Sequence, residues 1–163
     1  HEAISLAMFD VDHFKRVNDE HGHQAGDVVL AEFARLLKHA ARDIDRIGRY
    51  GGEEFMVLLP GTVLDAGVTF AKRVRQEVEA HNFKYDGGSL ICTISVGVAA
   101  WPHPRIQTRG QLVKAADDAL YIAKSLGRNR VVRFDDEEFN ANVKDVDDQH
   151  ASGTVGGGAA RSG

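Results

Sequence analysis

Two glycines followed by two carboxylates, Gly51-Gly52-Glu53-Glu54, form the stretch of this chain best suited to chemistry. They separate two short apolar runs, 44–50 and 55–59. That pattern predicts a β-hairpin whose tip needs positive φ or very close approach of its backbone to another group. Along a strand, Glu53 and Glu54 point to opposite sides of the sheet and so take different tasks. Taken alone, the segment reads as a tight turn with two solvated acids. What outweighs that reading is a second acidic stretch, Asp10-Val11-Asp12, at the carboxyl end of the apolar run Ile4 to Asp10. Ligands bind at such strand ends in many open α/β sheets. With the first strand paired beside the hairpin, Asp10 and Glu53 converge on one edge. Two hard carboxylates at one point suit a hard divalent cation, Mg2+ above all and Mn2+ as the alternative, when phosphates complete its shell. The glycines let a phosphorylated ligand approach the backbone. Metal, phosphate and bare backbone together describe nucleotidyl transfer by metal-assisted displacement.

The elements that must position these groups follow from periodicity. Ile4 to Asp10 is apolar on both faces, as in a central strand covered by helices. Residues 14–23 predict a short helical turn running into a loop. Asp27 to Ala41 predicts an amphipathic helix with Val29, Phe33, Leu36 and Ala40 on its core face. After the hairpin, Pro60-Gly61 turns the chain, and Thr62 with Asp65 offers a capping box to a helix striped by Leu64, Val68, Ala71, Val74 and Val78. Leu90 to Ala99 is the richest strand in β-branched residues. Thr108 and Gln111 predict a second capping box for a helix striped by Leu112, Ala116, Ala119, Ala123 and Leu126, with Gly127 at its C-terminal cap. A last strand covers 130–134. The order is strand, helix, hairpin, helix, strand, helix, strand: an α/β sandwich on a βαββαβ core with a central antiparallel hairpin. Residues 1–135 make this domain, and 136–163, acidic and then Gly/Ala-rich, are expected to be a disordered tail.

Composition narrows the classes. With 163 residues and 43% apolar content, the chain supports one well-cored domain. A net charge of -4 argues against a nucleic-acid-coating protein while allowing a local basic pocket for a small phosphorylated ligand. Cys92 is the lone cysteine, so no disulfide framework exists and a reducing, cytoplasmic setting is expected. No apolar run approaches the roughly 20 residues of a membrane span, and no signal peptide is seen. The sequence starts inside a strand, which points to a fragment of a parent protein whose anchoring to an inner membrane stays open.

Four segments carry a family resemblance: FDVDHFKRVNDEHGHQAGD (9–27), RYGGEEFMVLLPGT (49–62), TISVGVA (93–99) and ADDALYIAKSLGRNRV (116–131). In this order they resemble the GGDEF family of bacterial diguanylate cyclases, with the signature present as GGEEF. The resemblance implies a nucleotidyl-cyclase, palm-like fold. It also implies the condensation of two GTP into the second messenger cyclic di-GMP by a homodimer. By this likeness Asp10, the Val11 carbonyl and Glu53 hold Mg2+, while Glu54 is a second metal contact or helps to deprotonate the attacking 3′-hydroxyl. Asn18 and Asp27 read the guanine edge, Gly51 and Gly52 leave room for the nucleotide, and Lys15, Lys124 and Arg128 contact phosphates, with His13 and Phe14 beside them. For Lys124 and Arg128 the plain alternative is a stabilising cation near a helix C-terminus. His13, His21 and His23 are weak evidence for zinc.

Arg42 and Asp45 could be a helix ion pair at i, i+3. The family's RxxD motif makes them, with Arg73, a site where the product inhibits. An upstream sensor or receiver domain is the expected partner. The rivals are a non-catalytic module that binds GTP or cyclic di-GMP, a related cyclase with another purine preference, and a purely structural domain. Family members usually carry a segment resembling D-x-L-T-G-L-x-N-R before the first strand, and nothing like it precedes Ile4 here. Its absence is expected to leave an apolar strip beside that strand, weak stability and poor turnover.

Overall fold

The computed structural model describes residues 2–153. Its frame is a five-stranded sheet in the order β2-β3-β1-β6-β7. The strands are β1 (Ile4–Val11), β2 (Arg46–Arg49), β3 (Glu54–Pro60), β6 (Ile94–Trp101) and β7 (Val131–Arg133). β1 lies between β3 and β6 and is antiparallel to both, whereas β7 joins β6 in parallel. The expected pairing of the first strand with the hairpin is therefore what the chain adopts.

Alternation along β1 builds two cores. Ala7, Phe9 and Val11 pack with α2 (His23–Ala40) and α3 (Leu64–Ala80) on one face, while Leu6 and Met8 pack with α4 (Arg109–Ser125) on the other. Because side chains alternate with period two, Asp10 falls on the α4 face, continuing the series Leu6, Met8. The same rule puts Glu54 there, with Met56 and Leu58. α4 approaches so closely that a Cβ on Gly97 would stand 2.1 Å from the Ala116 carbonyl oxygen and 2.2 Å from the Leu120 nitrogen. Only glycine permits this seating, which sets how far the C-terminal end of α4 reaches over the sheet edge.

Several expectations need correction. The region 14–23 is a full helix, α1 (Phe14–His21), and α2 begins at His23, four residues before Asp27. Gly26 does not delay it, because that position is where the two helices touch: a Cβ there would lie 1.9 Å from Asn18 Oδ1. The run from Leu90 is not one strand. Phe83–Tyr85 (β4) and Gly88–Leu90 (β5) form a separate two-stranded hairpin, and β6 starts at Ile94. Thr62 caps nothing: α3 starts from Val63 without a side-chain cap, while Thr62 Oγ1 accepts from Arg42 Nη2 at 2.8 Å and Asp65 pairs with Arg133 at 2.7 Å. The box at Thr108 and Gln111 forms as expected, with both reciprocal bonds present. Beside the start of β1, two clefts of about 280 and 230 Å3 meet at Trp101, and residues 5–11 of the strand are buried.

The tail is the largest departure. Residues Glu137–Gly153 form a helix, α5, against α4 and β7. Phe139, Val143 and Val146 recur at i, i+4 and i+7, and the first and last of them are buried, 5% and 1% exposed. Asp136 accepts the Phe139 N–H at 2.8 Å, the bond of an N-cap, and Glu137 and Glu138 suit the positive end of the helix dipole. The acidic composition concealed this helical stripe. The remainder of the expected tail, 154–163, lies outside the described residues.

Candidate active site

Asp10 stands at the end of β1, 4% exposed, directly opposite Glu54 on β3. Cross-strand partners share a face, so Glu54 rather than Glu53 is its facing neighbour. Glu53 lies in the bend just before β3, its carbonyl accepting the Val11 N–H at 3.4 Å. Its carboxylate is still close enough to Asp10 for the two charges to repel. Burial raises the Asp10 carboxyl above its ordinary value, and Lys124, bonded Nζ to Oδ2 at 2.6 Å, draws it back in part. Glu53 and Glu54 are raised as well, first by burial and then by the charge of Asp10. The site is a set of carboxylates crowded at one sheet edge, countered from one side by the last turn of α4.

The hairpin tip is closed from within. Tyr50 and Gly51 N–H groups donate to the Glu54 carbonyl at 2.8 and 3.2 Å, and Arg49 Nε donates to the Gly52 carbonyl at 3.1 Å. Neither glycine has positive φ, which corrects half of the expectation for the tip. The other half holds at Gly51, where a Cβ would stand 2.9 Å from Glu54 Oε2. Gly52 faces open space. Arg49 was not expected to have a role, although its position next to the glycines is the one from which a long donor can reach their carbonyls.

The remaining expected residues fall into two groups. Asn18 rests on Gly26, next to Asp27 on α2. Asp27 lines a cleft of about 340 Å3 with Leu30, Ala31, Ala34, Arg49 and Phe55, between α2 and the hairpin. His13, at φ 53, turns the chain into α1; Phe14 and Lys15 open that helix, and Lys15 is exposed. His21 Nδ1 pairs with the Tyr85 hydroxyl at 2.9 Å, and the described residues contain no group of three or more His, Cys, Asp or Glu arranged to hold a metal.

Arg42, Asp45 and Arg73 lie elsewhere and together, lining a pocket of about 590 Å3. It sits at the Pro60 end of β3, roughly 20 Å from Glu54 at about 3.4 Å per residue. Arg42 and Asp45 are not a helix pair: they follow the end of α2 in a turn. There the Arg42 N–H and guanidinium both hold the Asp45 carboxylate, at 2.7 and 2.8 Å. The arginine side chain is 52% exposed and that of Asp45 1%.

Asp12 is the polar group that sequence reasoning left without a task. It is 5% exposed and accepts from Ser95 Oγ at 2.6 Å, Thr93 Oγ1 at 2.7 Å and the Asn129 N–H at 3.0 Å. It ties the ends of β1 and β6 to the turn that carries Arg128. Only the spacing from Asp10, two residues along one strand face, hinted at it.

A buried carboxylate, two further acids and two cations meet at the end of an open mixed sheet. The comparisons with known proteins give the family. Residues 1–130 match the family described as diguanylate cyclase, GGDEF domain, and the chain belongs to that family. Diguanylate cyclase A of Treponema denticola is 44% identical over 130 residues, 80% of this chain and 35% of that protein. The GGDEF domain of DgcB from Caulobacter crescentus, solved in complex with c-di-GMP, superposes with a TM-score of 0.78 at 35% identity, covering 83% of this chain and 77% of that one. The active GGEEF domain of a diguanylate cyclase from Vibrio cholerae gives 0.77 at 32% identity, with 83% and 85% covered. The chain spans between 19% and 36% of the length of the first three curated relatives. No described helix is long and apolar enough to cross a membrane.

Proposed function

We propose that this domain is a diguanylate cyclase that condenses two GTP into cyclic di-GMP. In each half-reaction a 3′-oxygen bonds to the α-phosphorus of the facing nucleotide, its proton leaves to a base, and the bond from that phosphorus to pyrophosphate breaks. The observation that carries the reading is the convergence of Asp10, Glu53, Glu54, Lys124 and Arg128 on one sheet edge, in a chain of this family.

The residues fit a hard divalent cation. Every candidate donor is oxygen, and burial raises all three acids, with the charge of Asp10 adding to it at Glu53 and Glu54. Asp10, the Val11 carbonyl and Glu53 would hold it, with Glu54 as a further contact or as base for the 3′-hydroxyl. A pair of carboxylates suffices where phosphates complete the shell, as is usual for Mg2+. When bound, the ion supplies charge stabilisation at the reacting phosphate. Lys124 and Arg128 add fixed positive charge on the α4 side, and Lys15 adds it from α1. Asp27 and Asn18 orient the guanine, a carboxylate being an apt acceptor for its N1–H and N2–H. One domain binds one GTP, so two must face each other. A sensor or receiver domain outside these residues would control that pairing.

The test is incubation with GTP or ATP and Mg2+, with products identified by mass at several protein concentrations. Cyclic di-GMP formed from GTP, at a rate rising faster than linearly with protein, is the expected result. Unchanged GTP with bound cyclic di-GMP would instead leave a non-catalytic module.

The pocket at Arg42, Asp45 and Arg73 supports product inhibition away from the catalytic edge, since arginine forks suit phosphate and guanine alike. Arg42→Ala is expected to weaken cyclic di-GMP binding by roughly 1–3 kcal/mol, the range for charge-assisted hydrogen bonds. GTP turnover before product accumulates should be unchanged. Calorimetry with cyclic di-GMP checks the first and initial rates the second; inhibition equal to the parent's would reduce the pair to a structural turn.

A further inference from the structure

The turn after α4 is held in an unusual way. Gly127, Arg128 and Asn129 stand in succession at φ 113, 63 and 47. Left-handed backbone is costly for residues with a Cβ and least so for Asn and Asp, and it persists where surrounding bonds over-determine it. Here they do. The Arg128 N–H donates to the Ala123 carbonyl at 3.0 Å, and the Asn129 N–H to buried Asp12 at 3.0 Å. The Asn129 side chain is held at both ends by α3: Arg75 Nη1 donates to its Oδ1 at 2.8 Å, and its Nδ2 donates to Glu79 Oε1 at 2.9 Å. Arg75 and Glu79 are themselves paired at 2.6 Å. Arg128, by contrast, is half-buried, acts on the charge of Asp10, and among the described residues makes no side-chain hydrogen bond to protein. A fully tied residue thus sits next to an arginine with its donors available.

We infer that Asn129 is a positioning residue: clamped between Asp12 and the Arg75–Glu79 pair, it holds the left-handed turn that aims Arg128 at the nucleotide phosphates. This rests on the reading of Arg128 as a phosphate contact. The side chain does what alanine cannot, because it favours the left-handed conformation and offers a donor and an acceptor at once.

The test uses the whole 163-residue chain with Mg2+ and GTP lacking its 3′-hydroxyl, so that binding is read without cyclisation. Loss of a charge-assisted contact corresponds to roughly tenfold or more in affinity, and Arg128→Ala is expected to show it. Asn129→Ala should weaken binding to a similar degree, and the double variant should bind no worse than Arg128→Ala alone, since the two act through one contact. Asn129→Gly, which permits the turn without strain but no longer clamps it to Arg75 and Glu79, guards against a folding defect and should still lose affinity while melting cooperatively. Asn129→Asp sets a second carboxylate against Glu79. Adding Glu79→Gln reverses donor and acceptor in that bond and should restore binding, a rescue that a general loss of stability would not give. Parent-like binding by both Asn129→Ala and Asn129→Gly, or full additivity with Arg128→Ala, overturns the inference alone. Parent-like binding by Arg128→Ala overturns the phosphate reading, and the inference with it.

Discussion

Replacing Asp10 by Asn or Glu53 by Gln is expected to lower GTP cyclisation at least about a hundredfold while leaving the fold intact. Each change removes a full charge from the edge where the phosphate reacts, and loss of one preorganised stabiliser at such a centre commonly costs that much. The fold should survive because the charges oppose one another before a cation is bound. Burial, and after it the charge of Asp10, raises the Glu53 carboxyl. An acid whose pKa rises on folding favours the folded state below its unfolded value. That contribution is lost as pH rises through the folded value. Without Mg2+ at pH 7, Glu53→Gln should therefore melt at or above the parent. The difference should disappear near pH 4, about the ordinary carboxyl value, where the parent's Glu53 is protonated as well. Melting curves at the two pH values and initial rates with Mg2+ check both halves. Near-parental turnover in either variant would remove these acids from the reaction.

Much of this site is legible from residue order because its geometry follows from strand rules. A doubly apolar first strand belongs in the middle of the sheet, and antiparallel pairing with a hairpin then brings its end to the hairpin tip. Asp10, Glu54 and the end of α4 meet for that reason. The facing of individual side chains was harder. Whether Asp10 looks at Glu53 or Glu54 depends on a one-residue register, and nothing in the glycine-rich tip fixes that register before β1 and β3 are paired. Asp12 was opaque for another reason. Its partners Thr93, Ser95 and Asn129 lie 81, 83 and 117 residues away, and no local period announces such bonds. Nothing in the sequence alone signals the role of Gly26. Its real meaning, room for Asn18, exists only once α1 is packed on α2. Arg42 and Asp45 line one pocket with Arg73, and a turn rather than a helix joins the first two, so the plain alternative of an i, i+3 helix pair does not hold.

Ending the chain at residue 136 is expected to destabilise the domain severely, although composition alone predicts no effect. α5 covers the outer face of α4 with Phe139 and Val146, both nearly fully buried, and Val143 packs beside them. Burying a side chain of this size contributes about 1.5–3 kcal/mol, so the two buried residues together account for about 3–6 kcal/mol, an upper estimate because unfolded chains are already partly compact. A domain's whole stability is about 5–15 kcal/mol. Polar ties add specificity: Lys114 bridges Asp118 on its own helix at 2.6 Å and Asp147 on α5 at 3.1 Å, and Arg105 reaches Asn140 at 3.1 Å. Since α4 carries Lys124 to Asp10, loosening its outer face also loosens one wall of the site. The shortened chain should unfold at much lower denaturant and bind GTP more weakly, whereas Phe139→Ala in the full chain should reproduce most of a single-residue loss. Chemical denaturation of the three proteins measures this directly. A shortened chain as stable as the parent would show that α5 rests on α4 without contributing to the core, and would return these residues to the role of a tail.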